Sequence, residues 1–207
     1  VMLAHEVGAG KTAVMAGAGM YMRSIGAVKK PLYVVPKPIV AQWGREFARF
    51  FPTAKVLVTD EKDFEKKNRR KFLSKIATGD FDAVIMSHSQ FEKIPLSLER
   101  QNMIFDDIKH KLMTAKENAR KADGKRAFTV KSYASAIKTL DNRLTKLRAD
   151  FKKDEFITFE QLGCDYIFVD EAHHYKNLYT ATKHTRIAGI NSSVNSQCAF
   201  DMDMKVA

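Results

Sequence analysis

The segment His5-Glu6-Val7-Gly8-Ala9-Gly10-Lys11-Thr12 sets two glycines, a lysine and a threonine where a phosphate-cradling loop requires them. Glycines at 8 and 10 let the backbone turn its N–H groups toward phosphate oxygens, Lys11 can reach the β and γ phosphates, and Thr12 can ligate Mg²⁺. That chemistry is the handling of a nucleoside triphosphate together with Mg²⁺. The pattern G-x-x-x-x-G-K-[ST] normally opens on glycine, and here His5 stands in that place. A second set of capable residues closes the segment Tyr166-Ile167-Phe168-Val169-Asp170-Glu171. A triphosphate site needs one acid to hold Mg²⁺, directly or through water, and another to orient and deprotonate the attacking water. Asp170 suits the first role and Glu171 the second. A lone Asp-Glu pair is commonly a solvated turn; the loop at 8–12 is what gives this one a chemical reading.

These residues need elements to hold them. Val1-Met2-Leu3-Ala4 is a short apolar run ahead of the loop, and Thr12 opens a segment rich in Ala and Met, so the expected context is strand, loop, helix. Tyr166 to Val169 reads as a strand buried on both faces with the carboxylates at its C-terminal end, where open α/β sheets put their ligands. Further strands are expected at Leu32-Tyr33-Val34-Val35, Lys55 to Val58 and Ala83-Val84-Ile85-Met86. A basic helix is expected from Phe64 to Ala77, with Phe72, Leu73 and Ile76 on its core stripe. Alternating strands and helices call for an α/β fold with a mostly parallel sheet, and right-handed crossovers would gather both motifs on one edge.

Taken in order, these blocks resemble the first RecA-like lobe of superfamily 2 helicases and translocases, of the DEAH-box type and closest to the Snf2-like branch. That branch commonly writes its P-loop Asp-Glu-Met-Gly-Leu-Gly-Lys-Thr, so a residue other than glycine at position 5 is normal there. The next block is an apolar strand ending in Pro36, followed by Gln42-Trp43-Gly44-Arg45-Glu46-Phe47; a later one is Ser87-His88-Ser89 after a strand, and Tyr175-Lys176-Asn177 follows the acidic motif. The resemblance covers residues 1–93 and 161–178. It implies that Gly8, Ala9, Gly10, Lys11 and Thr12 bind ATP, that Thr12 and Asp170 hold Mg²⁺, and that Lys11, Asp170 and Glu171 are catalytic. It further implies that Pro36, Lys37, Ser87 and His88 touch a nucleic-acid backbone and that His173 couples the two sites. The wording of the P-loop and of Phe91-Glu92-Lys93-Ile94-Pro95 is also similar to bacterial plasmid- or phage-borne proteins that join a helicase to a DNA methylase.

Residues 94–160 depart from that pattern. Ile104, Ile108, Leu112, Ala115, Ala119 and Ala122 step by fours and threes, as do Tyr133, Ile137, Leu140, Leu144, Leu147 and Phe151. With the polar turn Asp123-Gly124-Lys125-Arg126 between them, the expectation is an inserted antiparallel helical hairpin. Its lysines and arginines suit a nucleic-acid clamp or an arm for a protein partner, and equally a solvated spacer. Ile157-Thr158-Phe159-Glu160 is expected to return the chain to the sheet. The lobe is thus expected in two parts, 1–93 and 161–207, around the insertion at 94–160, with a mobile tail from Ile187 onward.

Composition bounds the rest. The 207 residues are 45% hydrophobic, enough for one good core, and no apolar run is long enough to cross a membrane. Cys164 and Cys198 lack disulfide or metal spacing, and the histidines lack ligand spacing, so a cytoplasmic protein without a histidine metal site is expected. A formal charge of +11 suits a polyanionic partner. The leading expectation is the ATP-binding lobe of a nucleic-acid-dependent ATPase acting on double-stranded DNA. It would be a fragment nearly inactive without the second RecA-like lobe and its arginine. The alternative is a nucleotide- or DNA-binding scaffold that recruits a partner through the hairpin.

Overall fold

The computed structural model describes residues 2, 6, 8–122, 133–135, 137, 138, 140–142, 144, 145, 157–176 and 197–206. The expected first strand at Val1–Ala4, apart from Met2, lies outside them, as do His5, the turn at 123–126, Leu147, Phe151 and Asn177.

The described residues of Val1–Ile94 and Ile157–Ala172 form one unit. Its four strands are β1 (Pro31–Val35), β2 (Val56–Val58), β3 (Ala83–Ser87) and β4 (Tyr166–Val169). They lie in the order β2-β3-β1-β4, all parallel. An all-parallel sheet must be covered on both faces, and the apolar runs of β1 and of Ala83–Met86 in β3 meet that demand: all ten residues of the two strands, the polar Ser87 included, are buried. Helix α1 (Lys11–Ser24), helix α2 (Val40–Phe50) and helix α3 (Lys66–Thr78) supply the cover. Tyr33, Val35 and Ile85 pack with Met15 and Ala16 of α1 and with Val40, Trp43 and Phe47 of α2. The alternate residues Leu32, Val34, Val84 and Met86 are fully buried as well, and α3 buries Phe72, Leu73 and Ile76.

Tyr33 is the hub of the α1–α2 face. Its ring stacks on Phe168 at 4.9 Å and 9°, and it lies 5.7 Å from Trp43 and 5.4 Å from Phe47. Burial desolvates the phenolate and raises the Tyr33 pKa above the ordinary 10.0. The folded state therefore holds this proton more tightly than the unfolded chain does. Its contribution to stability is full below pH 10 and falls as pH rises beyond it. Tyr33→Phe is expected to flatten that alkaline loss while changing neutral-pH stability little, because the hydroxyl makes only a 3.5 Å bond to the Met15 carbonyl. Urea midpoints measured at pH 8 and pH 11 for both proteins check this.

Two details differ from the sequence reading. Strand β4 is half-exposed, with Tyr166 exposed, because among the described residues it has a neighbour on one edge only. Residues 157–160 add no strand: Phe159 is buried against Phe91, with ring centroids 5.8 Å apart, and the chain then makes a short 3-10 turn at Glu160–Leu162.

The described residues of Pro95–Phe156 and His173–Ala207 form the second unit. Helix α5 (Leu98–Ala122), which follows the single turn α4 (His88–Phe91), buries Gln101, Phe105 and Leu112; Ile104, Ile108 and Ala115 are half-buried. The described residues between 133 and 145 are helical, with Leu140 buried and Leu144 half-buried, and Lys109 Nζ lies 2.8 Å from Asp141 Oδ1. The end of the chain overturns the expectation of a mobile tail at 197–206. Gln197–Val206 is a helix that buries Ala199, Phe200, Met202 and Met204, with Phe200 edge-on to Phe105 at 5.6 Å. Apolar spacing within those ten residues, rather than the polar stretch before them, decides their structure.

Candidate active site

Parallel strands put all their C-terminal ends on one edge, and the register specifies which residues share it. Val35 pairs with Ser87, Val34 pairs with Val169, and the Asp170 N–H donates to the Val34 carbonyl at 2.9 Å. Asp170, Val35 with Pro36 and Lys37 beyond it, and Ser87 with His88 beyond it therefore form neighbouring strand ends. Residues separated by more than a hundred positions are brought to a single carboxyl edge.

The P-loop reaches that edge through the direction of α1. Arg23, in its last turn, pairs with Asp82 at 2.7 Å, and Asp82 immediately precedes β3. Arg23 also donates to the Lys29 carbonyl, and Asp165, just ahead of β4, accepts from the Lys29 and Lys30 N–H groups at 2.6 and 2.9 Å. These contacts pin the C-terminal end of α1 to the amino edge of the sheet. Its N-terminal end, Lys11 and Thr12, consequently faces the carboxyl edge.

The loop itself has the features that an anion requires. Gly8 and Gly10 adopt φ of 85° and 74°, and a Cβ on either would meet nothing within 4 Å, so this backbone is open as well as left-handed. Gly10 caps α1 without a side-chain hydrogen bond, and no acidic residue stands in the first turn. The N-terminal N–H groups and the helix dipole are thus not satisfied by a capping side chain. Lys11 Nζ donates to the Glu6 carbonyl at 3.0 Å, within its own loop. Backbone donors, an ammonium group, the Thr12 hydroxyl and the Asp170 carboxylate are a donor set suited to a magnesium–triphosphate complex.

Asp170 is held on three sides. Its Oδ1 accepts from the Glu171 N–H at 3.0 Å, its Oδ2 accepts from Trp43 Nε1 at 3.3 Å, and its backbone is fixed to β1. Glu171 follows with φ of 53°, the one described residue other than glycine with a positive φ, and its side chain is exposed. A left-handed conformation costs an ordinary residue roughly 1–2 kcal/mol, and such strain concentrates at functional positions. Ser87 caps the α4 turn in a capping box with Gln90, and Gln90 Oε1 also accepts from Thr59 at 2.7 Å. Ser87 is consequently a buried part of a polar network rather than an exposed side chain, and His88 beside it is buried as well. Lys37 is exposed and pairs with Glu61 at 2.9 Å. His173 is exposed in the turn Ala172–Tyr175. The indole of Trp43 is the partner that sequence reasoning missed: a tryptophan was visible, but nothing local connects it with a carboxylate 127 residues away.

Cys164 is set apart from this chemistry. Burial pushes its thiol up to about 12, with Lys30 lowering it and Asp165 raising it in smaller measure. It stays protonated, and inert as a nucleophile, at neutral pH.

The chain is 24% identical over 136 residues to the transcription regulatory protein SNF2 of Saccharomyces cerevisiae; the match covers 65% of this chain and 8% of that much longer relative. No described helix is long and apolar enough to cross a membrane. Residues 1–207 match the family described as a probable helicase domain, and the chain belongs to that helicase-domain family.

Proposed function

We propose that this chain is the ATP-binding lobe of a nucleic-acid-dependent ATPase, a Snf2-like translocase or helicase on double-stranded DNA that works with a second RecA-like lobe. The observation that carries the reading is the carboxyl edge, where Asp170 and Glu171, the Pro36–Lys37 segment and Ser87 end adjacent parallel strands and α1 points its open glycine loop. In this reading the N–H groups of Gly8, Ala9 and Gly10 bind phosphate oxygens, and Lys11 exchanges the Glu6 carbonyl for the terminal phosphates. Thr12 and Asp170 hold Mg²⁺, which when bound neutralises phosphate charge and helps stabilise the leaving group. Glu171 orients the attacking water and accepts its proton. Its exposed side chain, carried on a strained backbone directly after the metal-holding acid, is what such a base needs. Lys37 and the strand-end segment at Ser87–His88 lie along the nucleic-acid path, His173 couples that path to the nucleotide, and the insertion at 94–160 serves as an accessory arm.

The experiment is phosphate release from the protein containing both lobes, with and without duplex DNA. Release that rises with duplex DNA is expected. Release indifferent to any nucleic acid would remove the translocase reading and leave a nucleotide-binding scaffold.

A further inference from the structure

Trp43 is the only tryptophan in the chain, it is 2% exposed, and its single polar atom donates to the carboxylate of Asp170. An indole N–H is a donor only, so this contact has one possible direction. The ring is fixed from below by Tyr33 at 5.7 Å, and Tyr33 in turn stacks on Phe168, two residues before Asp170. Donor and acceptor are therefore anchored to the same aromatic packing. The bond at 3.3 Å cannot be replaced by a neighbouring rotamer without breaking that packing. Asp170 has its other oxygen engaged by the Glu171 N–H at 3.0 Å, so the two donors together define the plane of the carboxylate. Trp43 also sits one turn into α2, which starts directly after the 3-10 turn Lys37–Ile39 at the end of β1.

We infer that Trp43 is a positioning residue that orients Asp170 for its metal ion and ties that orientation to helix α2 and the Lys37 segment leading into it. The inference rests on the proposed nucleotide site but adds a residue and a mechanical link to it. A group that hydrogen-bonds a metal-holding side chain typically contributes about 10-fold or more to metal affinity by fixing that side chain before the ion arrives. The same bond makes the sole tryptophan a reporter of Asp170. An ion that draws on the carboxylate changes the electric field at the indole N–H, and a pull on the Lys37 segment displaces the indole through α2.

The test uses the 207-residue chain and a fluorescent ATP analogue, titrated in Mg²⁺ and in EDTA. Trp43→Phe keeps a buried ring and removes the donor. It is expected to lower the Mg²⁺-dependent gain in nucleotide affinity by about 10-fold while the affinity in EDTA stays at the wild-type value. Equal affinities in both conditions for variant and wild type would overturn the inference and leave the nucleotide site standing. A parallel fall in both conditions would also overturn it, by reducing Trp43 to a packing residue. Absence of nucleotide binding by the folded wild-type chain would overturn the site and the inference together. A second measurement does not depend on the folding of Trp43→Phe. With unlabelled ATP present, Mg²⁺ is expected to shift the Trp43 emission of the wild type and to leave that of Asp170→Asn unmoved. Emission that ignores Mg²⁺ in the wild type, or shifts equally in both, counts against the link.

Discussion

Glu171→Gln is expected to cut ATP turnover by roughly 10²- to 10⁴-fold while leaving ATP binding intact. The amide has the size of the carboxylate and can still orient a water, but it cannot accept a proton. Because only the side chain changes, the backbone at φ of 53° and the bond from the Glu171 N–H to Asp170 both persist. A comparison variant separates chemistry from strain. Glu171→Gly also removes the base, but glycine tolerates the left-handed conformation, so the fold should lose none of its stability through local backbone strain. Steady-state hydrolysis, equilibrium binding of labelled ATP and thermal unfolding, measured on the protein with both lobes, check the pair. Undiminished hydrolysis in Glu171→Gln would move the base elsewhere.

The parts of the architecture that depend on composition within a short window were legible in the chain. Strand β1 and Ala83–Met86 of β3 are runs of apolar residues that an all-parallel sheet buries whole, and they fold where those runs lie. The glycines of the loop similarly announce a backbone with positive φ, which both Gly8 and Gly10 adopt. What was not legible depends on neighbours distant in sequence. The half-exposure of β4 follows from its position in the sheet rather than its residues, since Tyr166 to Val169 is as apolar as β1. The burial of Phe105 falls off the four-and-three stepping of the expected seam because its partner is Phe200, on a helix nearly a hundred residues later. The restraint of Ser87 is of the same kind: its hydroxyl reads as a surface contact in a motif, yet in the fold it is engaged by Gln90. Motifs thus located the edge of the sheet, while the set of hydrogen bonds that orients each group on it came from tertiary packing.

Two glycines on one helix should respond to the same substitution with opposite signs. Gly17 and Gly19 both lie within α1, where glycine costs roughly 0.5–1 kcal/mol relative to alanine. At Gly17 a Cβ would meet nothing within 4 Å, so Gly17→Ala is expected to stabilise the fold by about that amount. At Gly19 the Cβ would lie 1.9 Å from Tyr33 Oη and 3.0 Å from Phe168 Cε2. Tyr33 cannot withdraw, because Trp43, Phe47 and Phe168 surround its ring. Helix α1 must instead lift from the sheet, and forcing a close-packed core apart typically costs about 1–3 kcal/mol. The displacement has a functional consequence, since the same helix carries Lys11 and Thr12 toward Asp170. Gly19→Ala is therefore expected both to lower the urea midpoint and to weaken Mg²⁺-ATP binding, whereas Gly17→Ala raises the midpoint and spares binding. Adding Tyr33→Phe to Gly19→Ala removes the nearest clashing atom and should restore part of both losses. The ring carbon Cζ at 3.0 Å keeps the recovery incomplete. Equal midpoints for Gly17→Ala and Gly19→Ala, or no coupling between positions 19 and 33 in the double-mutant cycle, would mean that α1 does not rest on Tyr33.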